Sequence, residues 1–191
     1  MELASYYRIN RDTALWPYWF LDSPVGADGS GVDAWLFANG IPYQGDMSLS
    51  VPIGEPGPAI EFNHASMGMI VMHRRVSKLL REYCPDDLQI IPVDIAGADD
   101  AWDILNVTRV VDCIDDERSH IRLTHGIKKP GKPWRKYISI PKLVIDRKRA
   151  GDAKMFRLLH WEVAIVVDEK IKALFEEHNV SGATFVAVTP A

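Results

Sequence analysis

The sequence predicts an α+β fold: a single mixed domain with two strand–helix–strand repeats and a loop-rich N-terminal region. Three features predict it, namely a gapless internal repeat, β-branched runs between the two copies, and a proline- and glycine-rich first third. The chain has 191 residues, of which 47% are hydrophobic and 25% are charged, and these values are typical of a folded protein with one core. We therefore expect a loop-rich, aromatic-containing region over 1–63 that packs on an α+β domain over 64–191.

The N-terminal region is rich in residues that turn the chain. Residues 1–60 hold six of the twelve prolines and seven of the thirteen glycines. Such a density is typical of turns and short extended pieces rather than long helices. Trp16, Trp19 and Trp35 also lie here, and their large aromatic area indicates packing against the rest of the protein.

The internal repeat lies in the remainder of the chain. Residues 70–83 followed by 88–93 align without a gap on residues 165–178 followed by 183–188, at a constant offset of 95. In each copy apolar residues recur at i, i+3 and i+4, with Tyr83 or His178 at i+7, and this spacing predicts a short amphipathic helix. An apolar or β-branched run flanks each helix on both sides, so each copy predicts a strand–helix–strand unit. The helical positions are Val76, Leu79, Leu80 and Tyr83 in the first copy, and Ile171, Leu174, Phe175 and His178 in the second.

Residues 104–112 have the β-branched content of a further strand. Alternation along that strand places Arg109 on the same face as Leu105 and Val107. If the face is buried, Arg109 needs a carboxylate partner, because an unpaired interior charge is costly. Otherwise its side chain extends from a strand end to solvent. Residues 137–140 and 142–145 predict two more strands.

Charge is divided along the chain, although the formal net charge is only -4. Residues 94–117 carry eight acids against Arg109 alone, and residues 128–157 carry eleven bases against two acids. The two stretches either pair on the surface, at ~0–1 kcal/mol per pair, or stay apart as fields that steer a charged partner. Part of the basic stretch surrounds a tryptophan, a mixture found in nucleic-acid sites. This basic patch is Lys128, Lys129, Lys132, Trp134, Arg135 and Lys136.

The first predicted helix begins with an unusual group of cations. His73, Arg74 and Arg75 stand where the helix dipole disfavours positive charge, whereas the second copy places Asp168 and Glu169 there. The cations either form a solvated face or receive an anionic group of a partner.

The sequence lacks local motifs for catalysis or cofactor binding. It contains no Walker, GxGxxG or GxSxG element, and no HxH, HxxxH or HExxH spacing. We therefore predict no catalytic residues, no cofactor and no metal site. A metal-dependent hydrolase would require His120 and His125 to meet Asp115, Asp116 or Glu117 across a turn.

The N-terminus has an early acid and no apolar segment of the signal-peptide type. The longest apolar stretch after it is five residues, 163–167, far short of the ~20 that cross a bilayer. We therefore expect a cytoplasmic protein with no membrane partner. Cys84 and Cys113 form no CxxC pair, so we expect reduced thiols in the core.

Three motifs resemble those of a known family. The stretch from Leu105 to Asp115, LNVTRVVDCID, and the ERS that ends at Ser119 are similar to its "LNV.RVVD..D.ERS" element. KMFRL, ending at Leu158, resembles its "D.FRL" element, and GATF, ending at Phe185, resembles its closing "GxxF" strand. Together these motifs resemble a family of bacterial immunity proteins of polymorphic toxin systems, over residues 69–188.

The resemblance implies a non-catalytic protein that binds and neutralises a cognate protein toxin. Because no signal peptide is evident, we expect that toxin to act in the cytosol. The acidic run from Asp99 to Glu117 is the predicted contact surface, and such a run would imitate a phosphate backbone toward a basic toxin. The alternative function is a nucleic-acid-binding accessory module that uses residues 128–136, although the acidic pI of about 5.8 disfavours it. The candidate contact residues are Asp99, Asp100, Asp103, Asp115, Asp116 and Glu117, and the motif residues expected to be structural are Asn106, Arg109, Asp112, Phe156 and Gly182.

Overall fold

The computed structural model describes residues 5–123 and 137–188, and it has the α+β class that the sequence predicts. The helices in this part of the chain are α1 Arg74–Tyr83, α2 Arg147–Ala150 and α3 Glu169–Glu177. The strands are β1 Tyr6–Arg11, β2 Phe20–Leu21, β3 Val25–Gly26, β4 Leu49–Ser50, β5 Ile53–Glu55, β6 Phe62–His64, β7 Ile70–His73, β8 Leu88–Asp94, β9 Trp102–Val107, β10 Val110–Val111, β11 His120–Leu123, β12 Tyr137–Lys142, β13 Met155–Leu158, β14 Trp161–Asp168 and β15 Ala183–Ala187.

Two sheets organise the fold. The first sheet has the order β3-β4-β8-β9-β7-β6, and the second sheet has the order β10-β13-β14-β1-β15. Helices α1 and α3 cover one face of both sheets, and their apolar residues share a single core cluster. The N-terminal region covers the other face of the first sheet, while the β11–β12 hairpin covers that of the second.

The N-terminal region is built as its composition predicts, from short strands and single 3-10 turns, and it is packed on the first sheet. Trp19 and Phe37 are buried there against β8 and β9. Strand β1 has a different position, since it lies in the second sheet between β14 and β15. A division at residue 63 stays a prediction.

The internal repeat is confirmed as two equivalent units. In the first copy β9 lies between β7 and β8 and is antiparallel to both, and in the second copy β1 lies between β14 and β15 in the same way. The registers agree with the 95-residue offset. Ile70 and Ile90 flank Leu105, and the residues at the corresponding positions, Ile165 and Phe185, flank Ile9.

The two copies also contact each other reciprocally. The Arg75 guanidinium at the start of α1 donates to the carbonyl oxygen of His178 after α3, at 3.1 Å. At the other end of the helix pair, Lys170 near the start of α3 lies 4.5 Å from the ring of Tyr83, at the end of α1. Arg75 and Lys170 are equivalent positions of the repeat, as are Tyr83 and His178, so the same two positions meet at both ends of the helix pair. The two helices are therefore antiparallel neighbours related by an approximate two-fold axis.

The prediction of one strand over residues 104–112 is wrong. Strand β9 ends at Val107 in the first sheet, and Val110–Val111 form β10 in the second sheet. The chain changes sheets between them because the N–H groups of Thr108 and Arg109 both donate to the carbonyl oxygen of Asp87. Arg109 is therefore exposed and pairs with Asp152 at 3.1 Å, as expected for a side chain that extends from a strand end to solvent.

The prediction of a separate strand over residues 142–145 is also wrong. Strand β12 runs from Tyr137 to Lys142, and beyond it only Ile145 forms an isolated bridge, with Ile114. Pro141, near the end of β12, has no N–H to donate to a ladder, and after Ile145 the chain turns into α2.

The cations at the start of α1 have partners within the chain. Arg74 pairs with Asp103 at 3.0 Å, Arg75 pairs with Glu61, and the His73 ring accepts a hydrogen bond from the Arg75 N–H and so caps the helix. Burial acts to raise the pKa of Glu61, but the hydrogen bonds from Arg75 and Ser181 outweigh it and leave that pKa lowered. These cations therefore stabilise the tertiary structure, and their charge is already compensated within the chain.

Candidate partner-binding surface

The acidic run of residues 94–117 is split between two places by β9. At about 3.3 Å per residue, this six-residue strand separates its ends by roughly 17 Å. Acids before the strand form one group, the 94–100 cluster: Asp94, Asp99 and Asp100. Acids after it form a second group, the 112–117 cluster: Asp112, Asp115, Asp116 and Glu117.

The 94–100 cluster lines a hollow of about 760 Å³ at the end of the first sheet. Met47 and Ser48, which precede β4, form the opposite wall. The Asp100 side chain is 71% exposed and lies 3.8 Å from His73. The cluster is therefore open to solvent and to a partner.

Asp103, the third predicted contact residue of that region, lies in the core. Its side chain is 1% exposed, and its carboxylate accepts hydrogen bonds from Arg74 and from the Ser77 hydroxyl, the latter at 2.5 Å. It faces inward because it lies within β9, where all six residues are buried. We therefore leave Asp103 out of any contact surface.

The 112–117 cluster lines a second hollow, of about 660 Å³. Asp146, at the start of α2, adds a fifth carboxylate, and Tyr137, Arg149 and His160 complete the lining. Five carboxylates thus share one concave surface, where like charges reinforce one another's potential.

Several carboxylates of this hollow already have partners. Asp115 accepts from the Arg118 backbone N–H at 3.0 Å and from its guanidinium at 2.6 Å, and these bonds hold the pKa of Asp115 below its usual value. Asp116 accepts from the Tyr137 hydroxyl at 2.8 Å. Asp112 pairs with Arg149 at 2.8 Å. Asp115 therefore shapes the turn, whereas the exposed Asp116 and Glu117 present charge outward.

The basic stretch does not form one surface in the described part of the chain. Arg157 is fully buried, Arg149 neutralises Asp112 of the acidic run, and the Lys154 ammonium donates to the carbonyl oxygen of Tyr83 at 2.8 Å. The opposed stretches thus pair in part. The predicted patch Lys128, Lys129, Lys132, Trp134, Arg135 and Lys136 lies outside the described residues, as does His125.

Two of the motif residues fix the framework around these hollows. Asn106 is fully buried, and its amide donates to the carbonyl oxygen of Ile41 at 2.9 Å and to Gln89 at 3.2 Å, which fastens the N-terminal region to β8 and β9. Gly182 has φ +98°, and a Cβ there would lie 2.3 Å from the carbonyl oxygen of Phe62. A side chain cannot be accommodated at that junction between the two copies.

Of the remaining motif residues, Phe156 is fully buried under the β11–β12 hairpin. Asp112 is 66% exposed and lies on the acidic surface rather than in the framework. Arg109 is likewise at the surface.

Sequence reasoning missed Arg157, which is the buried arginine of this fold. Its guanidinium donates to three backbone carbonyl oxygens, those of Val107 at 3.2 Å, Glu162 at 2.6 Å and Phe37 at 3.1 Å. These groups come from the first sheet, the second sheet and the N-terminal region. Burial lowers the pKa of Arg157 to about 10. The signal was present in the FRL motif, where an arginine stands between two apolar residues of a strand.

The potential metal ligands among the described residues are dispersed, and both cysteines are buried. Within residues 5–123 and 137–188, no three His, Cys, Asp or Glu side chains are placed to hold a metal ion. Burial raises the pKa of both Cys84 and Cys113 to about 12, so both thiols stay protonated at neutral pH and lack the thiolate that a nucleophile requires. None of the helices in this part of the chain is both long and apolar enough to span a bilayer.

The chain matches the model of a known protein family. Residues 17–189 match the model of a family described as "Immunity protein family (Imm11)". No curated protein matches the chain. The matched range includes both segments of the sequence repeat, both acidic clusters and most of the N-terminal region, but not β1.

Proposed function

Because the chain belongs to the Imm11 family of immunity proteins, we propose that it neutralises a cognate bacterial toxin by forming a stoichiometric complex with it. The family match over residues 17–189 carries this proposal. We further propose that it acts in the cytoplasm, on a toxin of a polymorphic toxin system used in competition between bacteria. Its action is binding and not catalysis, in keeping with the protonated, buried thiols.

We propose the 112–117 cluster, with Asp146, as the main electrostatic contact surface. Its carboxylates converge on one hollow, and the exposed Asp116 and Glu117 carry the charge that a basic partner would meet first. Complementary charge mainly raises the rate of association and sets orientation. A basic toxin, including one that acts on nucleic acid, would be attracted to such a surface.

Co-expression tests the proposed function directly. The toxin encoded by the adjacent gene should arrest growth alone, and this protein should restore growth and co-purify with the toxin in a fixed ratio. Growth arrest that persists when both proteins are present, with no complex recovered, would refute the proposal.

A pair of double variants tests the contact surface. Asp116→Asn with Glu117→Gln removes two charges from the 112–117 cluster, and Asp99→Asn with Asp100→Asn removes two charges from the 94–100 cluster. We expect the first variant to slow association about tenfold at low salt, with a shallower salt dependence, because steering acts through this field. The second variant is the matched control and should leave the association rate unchanged. Equal rates for both variants and the wild type would exclude the 112–117 surface.

A further inference from the structure

The second sheet ends at β15, whose outer edge is open. No strand of the described residues pairs with β15 on the side away from β1. The first sheet continues past the equivalent strand β8 into β4 and β3. The two copies of the repeat therefore differ at this edge.

The backbone of β15 directs a set of hydrogen-bonding groups outward. The Asp12 N–H donates to the Gly182 oxygen, and the Val188 N–H donates to the Tyr6 oxygen. Hydrogen-bonding direction alternates along an antiparallel strand, so the residues of odd number between these two bonds face away from β1. Each offers one donor and one acceptor, and nothing in the described part of the chain bonds to them. They are Ala183, Phe185 and Ala187.

Beyond these residues the edge is closed by a single contact. The Ile145 N–H donates to the carbonyl oxygen of Val188 at 2.9 Å. The open length is therefore β15 itself.

Strand β15 also lacks the features that usually protect an edge. Natural edge strands are kept short, or carry charges, proline or a bulge, to prevent pairing with other chains. The sequence of β15, ATFVA, has no charge and no proline, and its register with β1 is regular. The other end strands of the two large sheets, β3, β6 and β10, are two or three residues long.

A groove of about 470 Å³ lies between β15 and α3, and polar and apolar residues line it in equal number. Phe175, Val180 and Phe185 are among its apolar residues. On its rim Lys172 and Glu176 pair with each other at 2.6 Å, so their charges cancel. A strand placed beside β15 would lay an uncharged side chain into this groove.

The first copy of the repeat shows how such an edge is extended. Strand β4 runs parallel to β8, with Ser50 opposite Asp94, and the N–H of Val51 donates to the Asp94 oxygen at 2.8 Å. Two positions earlier on the same edge stands Pro92, which has no N–H to offer. Its equivalent in β15 is Ala187, which retains its donor.

We infer that the outer edge of β15 and the adjoining groove receive an extended segment of the cognate toxin as an added parallel strand, with an apolar side chain in the groove. The inference rests on the proposed function and names where the toxin's backbone is held. Main-chain hydrogen bonds supply affinity in this mode of recognition, and the groove selects the side chain.

A second copy of this chain fits the edge less well than a toxin segment. Two β15 strands related by a two-fold axis would have to run antiparallel, because each would contact the other through the same surface. The arrangement already present in the first copy is parallel. A parallel neighbour must come from a different segment.

Residue-resolved amide exchange by NMR, with and without the toxin encoded by the adjacent gene, tests the inference. The outward amides of Ala183, Phe185 and Ala187 should exchange rapidly in the free protein and become at least tenfold slower in the saturated complex. Unchanged exchange of these amides in a complex that forms and neutralises the toxin would overturn the inference and leave the proposed function intact. Failure to form any complex would refute the proposed function itself.

Two edge variants and one control complete the test. Ala187→Pro removes an outward donor at the position where β8 already carries a proline, and Ala183→Lys places a cation at the groove. Each should weaken the complex about tenfold, which corresponds to roughly one net hydrogen bond or one buried side chain. Val186→Thr on the same strand, whose backbone faces β1, is the control and should bind as the wild type does. Slow exchange of the outward amides in the free protein, whether or not it depends on concentration, would show that this chain or a second copy covers the edge and would overturn the inference.

Discussion

Replacing Arg157 with methionine should destabilise the protein strongly, whereas the same replacement of the surface residue Arg109 should have little effect. The Arg157 guanidinium is fully buried and donates to three backbone carbonyl oxygens. Hydrogen bonds from a charged donor contribute about 1.5–3 kcal/mol each, so their loss amounts to about 4.5–9 kcal/mol.

Relief of charge burial offsets part of that loss. Burial lowers the pKa of Arg157 from 12.5 to about 10, which corresponds to about 3.4 kcal/mol at 1.36 kcal/mol per pKa unit. Because the pKa of Arg157 is lowered on folding, its positive charge destabilises the folded state at pH values below about 10. The methionine variant does not carry this penalty. The net expectation is a loss of about 3 kcal/mol in the free energy of unfolding, within a range of about 1–6 kcal/mol.

Urea unfolding followed by tryptophan fluorescence measures this free energy. Arg109→Met is the matched control, because Arg109 is 46% exposed and pairs only with an exposed Asp152; it should change the free energy of unfolding by less than about 0.5 kcal/mol. Arg157→Lys keeps the positive charge but lacks the planar guanidinium that reaches several carbonyl oxygens at once, so it should not restore stability. A stable Arg157→Met variant, or an equal loss in Arg109→Met, would refute the assignment of the structural arginine.

Three further predictions concern single positions. Gly182→Ala should lower the free energy of unfolding by at least about 2 kcal/mol, because φ is +98° and the new Cβ would meet the Phe62 carbonyl oxygen; a shift in the urea midpoint measures it, and an unchanged midpoint would contradict the geometry. Asp103→Ala should cost about 2–4 kcal/mol because it leaves Arg74 unpaired next to a buried site, and it should leave toxin association unaffected in the folded fraction, whereas slower association would return Asp103 to the contact surface. Burial and then Arg11 lower the pKa of His64 to about 4, so its neutral form contributes stability above pH 6.5 that is lost as pH falls through 4. From pH 7 to pH 4 the free energy of unfolding of His64→Leu should therefore fall by about 2–3 kcal/mol less than that of the wild type. Parallel pH profiles of the two proteins would contradict the burial of this ring.

The acidic and basic stretches show where sequence reasoning about charge stopped being informative. The sequence places eight acids in residues 94–117, but β9 passes through the middle of that run, buries Asp103 and divides the remaining acids. Which acids pair with which bases depends on contacts between segments distant in sequence, such as that of Arg149 with Asp112. Net charge per stretch therefore predicted an acidic character but not a surface.

Arg109 and Arg157 show the same limit for strands. Alternation could be read along residues 104–112, yet the pattern says nothing about which sheet each residue joins. The change of sheet after Val107 is caused by Asp87, whose carbonyl oxygen takes the next two N–H groups. Arg109, for which the pattern left both a buried and an exposed position open, is at the surface, and the buried Arg157 lies almost fifty residues later.

The sequence by itself determined the α+β class, the two helices of the repeat and their flanking strands, because local apolar periodicity and the constant 95-residue offset are carried by neighbouring residues. It also determined the family, through short motifs. Only the tertiary structure decided that β9 and β1 complete the two copies, that the copies are related by an approximate two-fold axis, and that β15 is left as an open edge. The reason is physical: strand pairing is a contact between residues far apart in the chain, and its hydrogen bonds are made by the backbone, which is the same in every residue except proline.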